Sequence, residues 1–235
     1  MNKTKETKNV TKEVKKEEVR DKKSFFKKGG VYFHSAAIIS NKSVFVTDDC
    51  LSIMTSALQS AEIKKDIKNL AYVIMPNYIH WIFRLGPTQD NPFAITSELK
   101  GEVAREIIKS LYSEVKEKRT EKLADFFEDK ETVGRCSPEK ILWTFEERAK
   151  DYETSGRMKV WIPKGEVRLL ENDEQIAQKL EVIKKTPTRD RWQFSKEGND
   201  YPYLYVSDEL LENPTLLEKI LPIGKGMPEA VVASV

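Results

Sequence analysis

Two cysteines and two histidines among 235 residues leave little material for several kinds of chemistry. Cys50 and Cys136 lie far apart without a CxxC partner, so neither a disulfide framework nor a structural zinc site is suggested. Both are expected buried, reduced and inert. No apolar run approaches the roughly 18 to 20 residues that span a bilayer, and the lysine-rich N-terminus has no apolar signal core. The expected location is therefore cytoplasmic, with no membrane partner. No internal repeat is visible. What is present, 39% apolar and 33% charged residues, is the composition of a globular protein with well-solvated surfaces, and the length suits one sizeable domain with extensions.

A net charge of +2 conceals an asymmetry. Residues 1–28 carry eleven Lys and Arg against five acids, which leaves the remainder slightly acidic. With almost no apolar content this arm cannot offset the entropy of ordering, and is expected to be disordered. A basic arm can hold polyphosphate through counterion release; it can equally be a solvated tail.

The folded body is expected from residue 29 to 206. Val31 to Ile39 reads as a first strand. Thr47 and Asp48 are N-cap candidates for a helix whose stripe is Leu51, Met54, Leu58 and Ala61, with a short piece through Val44, Phe45 and Val46 before it. Leu70 to Met75 and Ile79 to Phe83 read as central strands interrupted by Pro76 and Asn77. Alternation then puts Tyr78, His80, Ile82 and Arg84 on one face, and Ile79, Trp81 and Phe83 on the other, the core face.

Ile95, Leu99, Val103, Ile107 and Leu111 predict a helix to about Glu117. Its polar side carries Lys100, Arg105 and Lys109. A charged helical insertion is expected at about 116–135, with a short amphipathic piece at Leu123, Phe126 and Phe127. Ser137 and Pro138 open a further helix through Ile141, Leu142, Phe145 and Ala149. Lys159 to Leu170 reads as extended around Pro163 and Gly165. Asn172 or Asp173 caps a last core helix with Ile176, Leu180 and Ile183 buried, ended by Thr186 and Pro187. Tyr201, Tyr203 and Tyr205 form an aromatic cluster expected to pack a sheet edge. Residues 207–235 read as a C-terminal extension with helical turns split at Pro214.

Several blocks in order, GVYF, AYVIMPNYIHWIFR, SELKGEVAREI, ILWTFEERA, VWIPKGEVRLLENDEQIAQKLEVIKKTP and DYPYLYV, resemble the small single-tyrosine HUH transposases, and most closely the REP-associated tyrosine transposases, whose domain is IS200-like. The resemblance spans roughly residues 29 to 206. It implies an α/β (α+β) fold, a ferredoxin-like antiparallel sheet with helices packed on one face. It also implies a chemistry in which two histidines on the central strand, one residue apart, hold a divalent cation that polarises a phosphate. A tyrosine on the late helix then attacks, giving a phosphotyrosyl DNA intermediate.

Carried over residue by residue, three positions depart from that pattern. The first histidine falls on Tyr78, leaving His80 as the intact member; a phenol binds a metal only after losing a proton with a pKa near 10. The nucleophile position falls on Val182, which has no nucleophile. Four residues on, an amide near the metal is replaced by Thr186. Gln178, Val182 and Thr186 share a stripe about 100° from the Ile176–Leu180–Ile183 line, where a group reaching toward His80 is expected.

The resulting expectation is a protein that binds hairpin or single-stranded DNA and is defective in strand cleavage, with no cofactor. One alternative is an active metal-dependent nicking transposase using Mg2+ or Mn2+, with Tyr78 as a relocated nucleophile or His34 assisting His80. Another is a repurposed subunit binding a protein partner or a second copy. The phosphate track is expected to comprise Arg84, Lys100, Arg105, Lys109, Lys164, Arg168, Arg189 and Arg191.

Overall fold

The computed structural model describes residues 26–124, 136–152, 156–163, 165–189, 193–196 and 200–212. The N-terminal arm, Phe126, Phe127, Lys164, Arg191 and everything after residue 212 lie outside them.

Five antiparallel strands form the sheet in the order β4-β1-β3-β2-β5. They are β1 (Val31–Ala37), β2 (Ile67–Met75), β3 (Tyr78–Leu85), β4 (Glu166–Leu170) and β5 (Leu204–Val206). β2 begins three residues earlier than the apolar pattern indicates, and β3 is longer at both ends. Pro76 and Asn77, which favour a turn or bulge, make the two-residue turn that joins them. Their carbonyls tie down the neighbouring loop: Asn77 O accepts from Ile38 N at 2.8 Å, and Pro76 O accepts from Val44 N at 2.8 Å and Phe45 N at 2.9 Å. Val44 to Val46 is thus a turn docked on the hairpin rather than a strand.

The bulge sits elsewhere, where the β2–β3 register shifts between Asn69 and Ala71. The extra residue shifts the alternation, so that Leu70 and Ala71 both join Val73 on one face while Asn69 turns to the other, toward Trp81. Asn69 then closes a buried polar chain. Trp81 Nε1 donates to Asn69 Oδ1 at 2.8 Å, and Asn69 Nδ2 donates to Leu58 O at 2.9 Å. Both ends of an otherwise costly buried amide are paired.

Helices α1 (Asp48–Lys64), α2 (Pro92–Ala124) and α3 (Pro138–Ala149) cover one face of the sheet. Thr47 caps α1 by accepting from Cys50 N, and Ser137 caps α3 by accepting from Lys140 N with Pro138 in the first turn. Leu51, Met54, Leu58 and Ala61 of α1, and Ile95, Leu99, Val103, Ile107 and Leu111 of α2, are buried against Ile79, Trp81 and Phe83. α2 is 33 residues long and continues into the expected insertion as far as Ala124.

The late helix α4 (Asp173–Lys185), capped by Asn172, lies on the opposite face. That face is apolar too: Phe33, Val73 and Ile82 need a cover, and Ile176 and Ile183 provide it. Tyr201 and Leu210, the latter from the short α5 (Asp208–Glu212), complete it. The sheet is therefore a middle layer, with three helices on one side and a thinner cover on the other.

Candidate functional site

β3 presents Tyr78, His80, Ile82 and Arg84 to the α4 side, as alternation requires. The rings of Tyr78 and His80 are 5.1 Å apart, and Phe33 on β1 lies 5.5 Å from His80. Lys179 of α4 reaches down onto this cluster. Its Nζ is 4.1 Å from the centre of the Phe33 ring and 3.4 Å from Glu166 Oε1 on β4. Burial, and then the Lys179 charge, push the His80 pKa down to about 4, against an opposing pull from Glu166. His80 is neutral at pH 7.

His34 is not part of this group. It pairs in register with Trp81, so it points to the other face, where its ring meets the Trp81 ring edge-on at 6.4 Å. Its Nδ1 lies 2.9 Å from Glu166 O, and burial first, with Lys100 and His80 adding to it, takes its pKa to about 4 against that carbonyl. Gly165 is required beside it, since a Cβ there would lie 3.1 Å from His34 Cε1 and 2.8 Å from Ser35 O. The expectation that His34 could assist His80 is corrected by register: cross-strand partners share a face, so His34 on β1 faces with Trp81, and His80, the neighbour of Trp81 on β3, faces the other way.

The α4 stripe also differs from expectation. Val182 is 38% exposed and Gln178 turns outward, with Nε2 3.3 Å from Glu174 Oε1. Thr186 is buried, but its hydroxyl donates to Val182 O at 2.7 Å, within its own helix. The residue of α4 that meets the His80 cluster is Lys179. It falls between Ile176 and Ile183 at spacings of three and four, inside the buried stripe. That lysine on a core line was the signal available in the sequence.

These residues do not fit a divalent cation. His80 Nδ1 is buried and offers no open lone pair to a hydrated ion from solvent. The carboxylate of Glu166 has the Lys179 ammonium 3.4 Å away, which opposes a second cation there. Thr186 has spent its proton on a backbone carbonyl. An ammonium stands beside the imidazole, and like charges repel most strongly where water is scarce. Among the described residues no group of three or more His, Cys, Asp or Glu is arranged to hold a metal.

The basic residues expected to form one track divide between the two sides of the sheet. Arg84, Arg168 and Arg189 belong to the His80 side; Arg168 is exposed on β4 opposite Phe33, and Arg189 is exposed just past α4. Arg84 is engaged: its Nη1 lies 2.7 Å from Glu209 of α5, which also takes Lys68 at 2.7 Å. Burial alone would push the Glu209 carboxyl up; the two cations outweigh it and hold it below its usual range. Lys100, Arg105 and Lys109 lie on α2, across the sheet. Lys100 is half-buried near His34, its pKa lowered by burial and by Lys159, and Lys109 pairs with Glu106 at 3.5 Å. These three are not joined to the His80 side.

The tyrosines near the C-terminus pack as expected. Tyr205 stacks on Tyr72 at 5.1 Å, and Tyr201 donates to Ile74 O at 2.8 Å, burial pushing its phenol up to about 12.

Residues 27–141 match the family described as transposase IS200 like. Over this stretch, just under half of its length, the chain is similar to that family. The match takes in β1 to β3 with Tyr78 and His80, and ends before α4. No curated protein matches the chain. Among solved structures it is similar to a REP-associated tyrosine transposase bound to a REP hairpin, at 13% identity, 77% of this chain, 78% of that one and a TM-score of 0.48. It is also similar to a candidate transposase from Deinococcus radiodurans r1, at 16% identity, 64% of this chain, 88% of that one and a TM-score of 0.36. Both likenesses are loose. No helix among the described residues of this transposase-like chain is long and apolar enough to cross a membrane.

Proposed function

We propose that this IS200-like protein binds hairpin or single-stranded DNA along the His80 side of its sheet and does not cut it. The observation that carries the reading is the Lys179 ammonium over the Phe33 ring that also meets the His80 ring, a positive charge at the place where a metal ligand would be needed. A strand-cleaving centre needs a Lewis acid at the scissile phosphate and a nucleophile within reach. Here the α4 residue beside His80 is an amine engaged with Glu166, and Val182 has an inert side chain. Tyr78 is a weak replacement nucleophile, because its ring is set against His80 on a strand hydrogen-bonded to neighbours on both sides.

Binding is supported by Arg168 and Arg189, exposed on the same side as His80. The basic N-terminal segment adds sequence-independent attraction to a polyanion. Affinity for a labelled DNA hairpin is expected to fall steeply with salt. A covalent protein–DNA product formed with magnesium or manganese would overturn the claim that cleavage is lost. The double variant Val182→Tyr with Tyr78→His is expected to yield no adduct while Lys179 remains.

A further inference from the structure

We propose that Lys179, with Arg168, forms a metal-independent binding point for one backbone phosphate of DNA at the position beside His80. The inference rests on the DNA-binding reading above and specifies how one phosphate is held.

Lys179 is placed for this by three contacts. The Phe33 ring carries its ammonium at 4.1 Å, a cation–π geometry that holds the charge without neutralising it. Glu166 steadies it from 3.4 Å, a distance too long for a tight ion pair. The stem packs along the apolar line of α4 between Ile176 and Ile183, leaving the side chain 23% exposed. A charged head on a buried stem is pre-positioned, so little side-chain entropy is left to lose when a phosphate arrives.

The surroundings suit an anion better than a cation. His80 is neutral at pH 7 and adds no negative charge to repel an anion. Arg168 stands exposed on β4 in register with Phe33, the residue under Lys179, so a second cation flanks the same spot. Two cations against the single carboxylate of Glu166 leave a net positive charge. Tyr78, half-buried beside His80, supplies ring surface at the edge of the same cluster on which a nucleotide base or sugar can rest.

The test uses the full chain and a fluorescent DNA hairpin with a single-stranded flank, titrated by anisotropy in EDTA and again with excess magnesium. Binding in EDTA is expected, with no gain in affinity from magnesium. Because removing Lys179 also uncovers Glu166, the informative comparison is Glu166→Gln against Glu166→Gln with Lys179→Met. The double variant is expected to bind about tenfold more weakly than the single one, with a shallower salt dependence. Lys179→Arg should keep most of the affinity. Equal binding by the single and double variants, with the wild-type chain still binding DNA, would overturn this inference and leave the DNA reading intact. Affinity that appears only with magnesium would overturn it as well. So would Mn2+ binding, detected by electron paramagnetic resonance in the absence of DNA and lost in His80→Ala. A wild-type chain that binds no hairpin under any condition would remove both readings together.

Discussion

The two sides of the sheet are built from alternate residues of the same strands, yet they have taken different uses. The side under α1, α2 and α3 is closed. Trp81 is fully buried and stacks on Phe83 at 4.2 Å, and the His34 ring is held between Trp81, Gly165 and the Glu166 carbonyl. The side under α4 is covered by one helix and a short C-terminal piece, and its polar residues, His80, Lys179, Arg168 and Arg84, reach the rim. Two histidines with the same depressed pKa therefore differ in role. A shifted pKa reports burial; only the neighbours say whether the burial belongs to a core or to a site.

The sharpest way to break this contrast is to remove the centre of the closed side. Trp81→Ala takes away the largest buried side chain and the donor to Asn69, and is expected to cost about 3 to 5 kcal/mol in a urea titration. A cost under about 1 kcal/mol would mean that the closed side is not the core.

Next in size is the acid response of His34. Its pKa in the folded chain, about 4, lies below the value of about 6.5 expected when unfolded. Its contribution is therefore fully present above pH 6.5 and is lost as the pH falls from there toward 4, on the order of 2 kcal/mol. Comparing urea midpoints at both ends of that window, His34→Gln should show a smaller acid loss than the parent. An unchanged pH dependence would place the histidine in water.

A smaller effect distinguishes the two sides as DNA surfaces. Arg168→Ala is expected to weaken hairpin binding by about 1 kcal/mol and to lower the salt slope by roughly one contact. Arg105→Ala with Lys109→Ala, on α2, should change neither. Equal losses from both would rejoin the track that the sheet divides. The smallest effect is expected at Val182: with its side chain 38% exposed, Val182→Ala should stay within about 0.5 kcal/mol in stability and leave DNA affinity unchanged.

Much of the architecture was legible because it depends on periodicities. The stripes of α1 and α2, the caps at Thr47, Ser137 and Asn172, and the opposite directions of His80 and Trp81 follow from 3.6-residue and 2-residue repeats that need no knowledge of partners. The site was less legible. Spacing alone favoured Gln178, Val182 and Thr186 as the α4 face toward His80, whereas the structure turns Gln178 and Val182 outward and bonds the Thr186 hydroxyl back into its own helix. A helix has no intrinsic rotation about its axis; the cover that Phe33, Val73 and Ile82 require sets it, and that rotation carries Lys179 inward.

By itself, the sequence determined the elements, their buried stripes and the shared direction of Tyr78 and His80 on the central strand. Only the tertiary structure decided that His34 and His80 lie on opposite sides, that the basic residues form two groups and that an ammonium stands beside the remaining imidazole. Local pattern specifies which way a residue points within its own element. Register between strands and the seating of one helix on the sheet are set by contacts between residues distant in the chain, and those decide which side chains meet.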